Sequence, residues 1–149
     1  MNPTKINTFL FFKLPSAWLC GVRLKTITNK QSQVSVRYKW INQNPFKSMY
    51  FAVQNMAAEL STGALVMQII KNQNKKISML VVKAESKYFK KATGKINFKC
   101  EDGLLAQQMI TKSIEESSPQ VFEMTSKAYN SSYEIVSEFK FTWSVKPKN

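Results

Sequence analysis

Between Asn44 and Ile70 the chain carries an Asn-Pro-Phe turn, a serine at 48 and then a long, nearly uncharged helical stretch whose only acid is Glu59. A helix that is apolar almost all round is a buried one. A carboxylate on such a helix is costly unless it is paired, protonated or put to use. Burial would lift its pKa toward neutrality, which suits a general base or a nucleophile. Asn55, Glu59 and Thr62 stand at i, i+4 and i+7 and so form one polar stripe. Such a stripe suits a reactive site, or equally a structural seam against a loop or a second subunit.

Other candidates flank the acid. Asn44 can orient a water or a carbonyl, or simply serve as a turn residue before Pro45. Tyr50 and the backbone of 48–51 lie where the helix begins, and unpaired N–H groups with the positive dipole end stabilise a developing oxyanion there. The alternative is an ordinary helix start, with Ser48 as N-cap and Tyr50 as a packed aromatic. Lys90, Lys91 and Lys95 offer a grip for phosphates, or form a solvated basic turn. Cys20 and Cys100 are too far apart in sequence for a metal motif and read as small buried hydrophobes. Histidine is absent, which removes Ser-His-Asp and Cys-His catalysis and the common zinc sites. No metal and no separate cofactor is expected.

The elements that must position these residues fit one domain, since the chain has 149 residues. Ten Phe, five Tyr and three Trp argue against disorder. A net charge of +13 calls for an anionic partner or a solubilising surface. Nothing resembles a helix-turn-helix, zinc finger or RNA-recognition motif, so no nucleic-acid partner is expected. The apolar run Phe9-Leu10-Phe11-Phe12 is cut by Lys13, too early for an export signal. No run reaches the ~20 residues of a membrane span. A reduced, cytoplasmic setting without a membrane partner is the expectation.

Residues 4–14 read as a short amphipathic helix closed by Pro15, with 1–20 packed on the domain. Strands are predicted over 22–28 and 34–40, the latter with Val34, Val36, Tyr38 and Trp40 on one face. The long helix runs from Ser48 to about Ile70. Ile77 to Phe89 is long and mostly apolar, which predicts a central strand. Lys95 to Glu101 alternates with Ile96, Phe98 and Cys100 inward. A helix over 104–117 presents Leu105, Met109, Ile110 and Ile114. Strands over 120–130 and 133–146 close the chain, the last with Tyr133, Ile135, Phe139, Phe141, Trp143 and Val145 on one face. The sum is an α+β domain, with about six antiparallel strands curled around one long central helix.

This order, and the segment from Asn44 to Glu59, resemble the hotdog fold of the acyl-CoA thioesterase superfamily. The nearest branch is the phenylacetate-degradation type, or a related uncharacterised bacterial domain family. In that branch a loop Asn precedes a His-Gly-Gly turn by six residues, and a helix acid lies nine beyond the His; Asn44, Tyr50 and Glu59 stand at those spacings. Tyr88 to Lys95 resembles the family's aromatic-x-basic-Pro-Ala-x-x-Gly turn near the coenzyme A site. The resemblance covers about residues 20–146. It implies hydrolysis of an acyl-CoA or acyl-carrier thioester, with the acyl chain in a tunnel beside the helix. Glu59 would be base or nucleophile, Asn44 would position, and Tyr50 would stand at the oxyanion end. Lys90, Lys91 and Lys95 would hold the carrier's phosphates. It also implies a homodimer, or a tetramer, in which the Asn side and the acid come from opposite subunits. Tyr50-Phe51-Ala52 departs from His-Gly-Gly, whose glycines let backbone N–H groups reach the thioester carbonyl. Phe51 blocks or rearranges that approach, which keeps open a non-catalytic acyl- or lipid-binding module on the same fold.

Overall fold

In the computed structural model, which describes residues 1–148, eleven elements follow one another. They are α1 (Pro3–Lys13), α2 (Pro15–Leu19), β1 (Arg23–Ile27), β2 (Ser32–Arg37), a 3-10 turn (Trp40–Asn42), α3 (Phe51–Lys71), β3 (Ile77–Tyr88), β4 (Lys95–Cys100), α4 (Gly103–Glu115), β5 (Gln120–Tyr129) and β6 (Ile135–Pro147). The strands form one six-stranded antiparallel sheet in the order β1-β2-β4-β5-β6-β3.

Alternation of apolar residues makes the inner face of this sheet. Ile96, Phe98 and Cys100 of β4 are fully buried, as are Met124 and Ala128 of β5 and Phe139 and Val145 of β6. They close on α3, which touches all six strands. Small residues on the helix, Ala57, Ala58, Ser61 and Ala64, let the curved sheet approach closely. This is the hotdog arrangement. Polar residues buried on α3 are all partnered, as burial demands. Ser61 Oγ donates to Ser126 Oγ at 2.7 Å, and Gln54 Oε1 accepts from Ser137 Oγ at 2.8 Å. Gln68 Nε2 donates to the Thr28 carbonyl at 3.0 Å.

The N-terminal helices pack on the edge of this barrel-like half. Ile6 and Leu10 are buried, and the Asn7 side chain clasps Leu24, donating to its carbonyl at 3.0 Å and accepting from its amide at 2.9 Å.

Several expectations are corrected. The strand expected to be central, β3, is an edge strand paired only with β6. Its apolar run covers two faces, and the outer one leaves Leu80 and Val82 64% and 51% exposed. Trp40 is not on an inward strand face: β2 stops at Arg37. The Asn42 side chain turns the chain there, accepting from the Lys39 amide at 2.8 Å and donating to the carbonyls of Arg37 and Cys20 at 2.9 and 3.0 Å. Ser48 is not the N-cap; Tyr50 takes that place without a side-chain cap bond. Tyr133 adopts φ 59° in the turn before β6, so it and Ile135 stay on the outside. On α4 the buried face is Gly103, Ala106, Ile110 and Ser113, and Leu105 is exposed. Gly103 is needed because its backbone docks on the β1–β2 hairpin: a Cβ there would lie 2.3 Å from the Asn29 carbonyl oxygen. Among the described residues no helix is long and apolar enough to cross a membrane.

Candidate functional site

Most of α3 faces the sheet, but one stripe does not. Met56, Glu59, Met67 and Ile70 recur at helical spacing and are exposed or half-buried. Glu59 therefore sits exposed in the single chain, not sealed as the apolar helix predicted. It opens into a cavity of about 430 Å³ between α3, the α1–α2 segment, β3 and β6. Phe9, Leu10, Leu14, Leu60, Met67 and Trp143 give that cavity its apolar walls. Among the described residues no Lys or Arg nitrogen lies within ion-pair reach of Glu59; the five ion pairs formed are elsewhere. Partial loss of water against apolar walls pushes the Glu59 carboxyl above the ordinary glutamate range. The group is thus an unpaired, more basic carboxylate at the mouth of a mostly apolar cavity that Lys13 and Ser16 also line.

The polar stripe divides among different neighbours. Asn55 Nδ2 donates to the Tyr88 hydroxyl at 2.6 Å. Thr62 Oγ1 accepts from Trp143 Nε1 at 3.0 Å and donates to the Glu59 carbonyl at 3.0 Å. Only Glu59 presents its side chain to the cavity.

A second hollow, about 490 Å³, lies at the start of α3 and is lined by Asn44, Tyr50, Phe51, Tyr88, Lys90 and Lys91. Asn44 is engaged within its own loop. Its Oδ1 accepts from the amides of Phe46 and Ser48 at 2.9 and 3.2 Å, and its Nδ2 donates to Ser48 Oγ at 3.1 Å. Such a bonded Asn builds a turn, here one that holds the helix start. Among the hydrogen bonds of the described residues, the amides of Phe51 and Ala52 donate to no protein group. They are the free donors a helix N-terminus offers. The Phe51 ring packs edge-on to Tyr50 at 5.0 Å and to Tyr88 at 6.3 Å between centroids. Lys90 is ion-paired with Glu134, and Lys91 Nζ donates to the Phe46 carbonyl at 3.0 Å. Lys95 opens β4 opposite Arg37 and does not line this hollow.

Within one chain, then, the candidates fall into two groups. Asn44, Tyr50, Lys90 and Lys91 share the hollow at the helix start, whereas Glu59 faces the other cavity. Phe51 and Glu59 are eight residues apart, about 12 Å along the helix axis. The free amides and the acid of one chain cannot address the same carbonyl.

Sequence reasoning missed the walls of the Glu59 cavity. Met56 and Met67 share a helix face with Glu59, a signal present in the spacing. Phe9, Leu10 and Leu14 arrive from a distant segment, and no local periodicity links them to the acid.

A family model described as "Domain of unknown function (DUF4442)" matches residues 4–145. The chain belongs to the DUF4442 family. Among curated proteins, none matches this DUF4442 chain in sequence. Among solved structures it is similar to a Pseudomonas aeruginosa protein of unknown function described as a probable thioesterase. The TM-score is 0.79 at 18% identity, over 98% of this chain and 97% of that one. A Chlorobaculum tepidum protein of unknown function gives a TM-score of 0.83 at 13% identity, over 99% and 98% of the two chains. A Haemophilus influenzae thioesterase gives 0.73 at 9% identity, over 99% and 92%. At such identities the likeness is one of fold.

Proposed function

We propose that this DUF4442 protein hydrolyses thioesters of acyl groups carried on coenzyme A or on an acyl-carrier protein. The observation that carries the reading is Glu59, a lone carboxylate made more basic by the apolar cavity it opens into. In the proposed reaction Glu59 takes a proton from water, whose oxygen attacks the thioester carbonyl carbon. The oxyanion that forms accepts hydrogen bonds from backbone amides at a helix start. The C–S bond then breaks, and the thiolate takes up the proton that Glu59 holds. In the alternative course the Glu59 carboxylate attacks first, the C–S bond breaks to release the thiolate, and water opens the resulting anhydride to the free acid and the Glu59 carboxylate.

The active form we propose is a homodimer, because amides and acid are about 12 Å apart along one helix. Glu59 of one subunit would meet the Phe51–Ala52 amides and the Asn44 loop of the other. The free edge of β3 supports pairing with a second copy. It is 12 residues long and bears exposed Leu80 and Val82, and a long apolar edge left bare invites association. Lys90 and Lys91, beside the helix start, would receive the carrier's phosphates. Several fold neighbours described as thioesterases favour the same chemistry.

The test is a panel of acyl-CoA thioesters offered to the wild type and to Glu59→Gln. General-base loss predicts a fall of roughly 10²–10⁴ in turnover with cooperative unfolding retained. Equal turnover by the variant would remove Glu59 from the mechanism.

One observation favours a second reading, an acyl-binding module without turnover. Phe51 stands at the helix start where the resembling enzymes carry glycine, and it is held there by Tyr50 and Tyr88. Lipid retained through purification, with no hydrolysis at any chain length, would decide for that reading.

A further inference from the structure

The cavity beside Glu59 has a length that can be read from α3. Met56, Glu59, Leu60, Gly63 and Met67 line it, so it follows one helix face for three turns. From Glu59 to Met67 is eight residues, about 12 Å at ~1.5 Å per residue. Its opposite wall is the α1–α2 segment, apolar through Leu10, Leu14 and Ala17, with Lys13 and Ser16 as its polar members. Its floor is Trp143, buried and tethered through Nε1 to Thr62 Oγ1 at 3.0 Å. Met79, near the start of β3 and so close to the C-terminal end of α3, joins Met67 at the far end.

We propose that this cavity takes an unbranched aliphatic acyl chain of about ten carbons, with Met67 and Met79 as the stop that limits its length. The inference rests on the thioester reading above and adds the class of acyl group. An extended alkyl chain advances about 1.25 Å per carbon, given C–C bonds of ~1.5 Å, so a ~12 Å slot accommodates roughly ten carbons. Three methionines in the wall, Met56, Met67 and Met79, are unbranched and adaptable, and they conform to a flexible chain. A compact aryl-acyl group would leave the far half of the slot without contacts and forfeit that attraction. The cavity volume of about 430 Å³ lies within the range of small-molecule sites.

The experiment uses non-hydrolysable S-alkyl pantetheines of increasing length, from about four to about sixteen carbons, titrated calorimetrically into the full chain. Pantetheine is the arm that coenzyme A and carrier proteins share. Affinity should rise about fourfold per added methylene, up to roughly ten carbons, and then level off or fall. Met67→Trp and Met79→Trp, both at half-buried positions, should move the break to shorter chains while melting stays close to wild type. A rise that continues through the longest chain, or a break that neither substitution moves, overturns the inference. In that case binding and Glu59-dependent hydrolysis still stand, so the thioester reading survives. Failure of every chain length to bind, with no hydrolysis, sinks both.

Discussion

Gly63→Ala sets two opposing effects against each other, and the structure decides the sign. Gly63 lies in the middle of α3, where replacing Gly by Ala ordinarily stabilises a helix by about 1 kcal/mol. Here an added Cβ would stand 3.1 Å from both Cη2 and Cζ2 of Trp143. The indole must give way by a few tenths of an ångström. It is not free to do so: the ring is 4% exposed, and its Nε1 is bonded to Thr62 Oγ1 at 3.0 Å. Overpacking of this kind costs about 1–3 kcal/mol. The net expectation is a loss of about 1 kcal/mol, or roughly 2–4 °C in melting midpoint for a chain of this size. The assay is thermal or urea unfolding of four proteins: wild type, Gly63→Ala, Trp143→Phe and the double variant. In the Trp143→Phe background the smaller ring relieves the clash, and Gly63→Ala should recover its helix gain, leaving a positive coupling between the two sites. A Gly63→Ala protein stabilised by the full helix gain would show that the indole is loose and that Trp143 is no barrier to a Cβ at this position.

Asn42→Ala removes three hydrogen bonds from a side chain only 2% exposed. At about 1 kcal/mol each this costs roughly 3 kcal/mol, visible as a melting midpoint lower by about 10 °C. The buried Cys100 thiol is pushed up to about 12 by desolvation, so it should resist iodoacetamide in the native protein while half-buried Cys20 reacts first; mass spectrometry of partial digests reads the order. The pH dependence of Glu59 has a definite sign. Its folded pKa is raised above the unfolded value, so the native state holds the proton more tightly. Its contribution to stability is full below the ordinary glutamate pKa and is lost as pH rises through the raised folded one. Glu59→Gln should therefore gain in melting midpoint relative to wild type as pH is raised from acid to neutral, and a constant difference would show that the carboxyl is unperturbed.

Much of the architecture was legible because the periods are clean. Ile96, Phe98 and Cys100 alternate and are all fully buried, and the apolar helix after the Asn-Pro-Phe turn is the central one. The edge position of β3 was not legible. An apolar run on both faces signals burial on both sides, and Leu80 and Val82 imitate that signal while facing outward from an unpaired edge. Trp40 misled for a different reason: the turn is imposed by the Asn42 side chain, whose three partners lie up to 22 residues away. At the site, the acid announced itself as the one charge on an apolar helix, but its exposure did not. Helix composition gives the average environment of α3, whereas Glu59 occupies the one stripe that the sheet does not cover. The walls of its cavity come from α1, α2, β3 and β6, a juxtaposition that only the tertiary fold creates. The three lysines were grouped by sequence proximity, yet Gly94, with φ 68°, turns the chain before Lys95 and carries it away from the other two.

In the homodimer proposed above, the acid of one subunit would work against the helix start of the other. Mixing of two inactive variants distinguishes that arrangement from a site built within one chain. Glu59→Gln removes the acid. Phe51→Pro removes a free amide at the first position of α3, where proline is well accepted and where Tyr50, at ψ 135°, already has the extended backbone a residue before proline prefers. Each variant alone should be nearly inactive toward acyl-CoA. Refolded together in equal amounts, half of the dimers would be mixed and each would hold one complete site, so about a quarter of wild-type activity should return. A mixture no more active than its separate components would contradict the account.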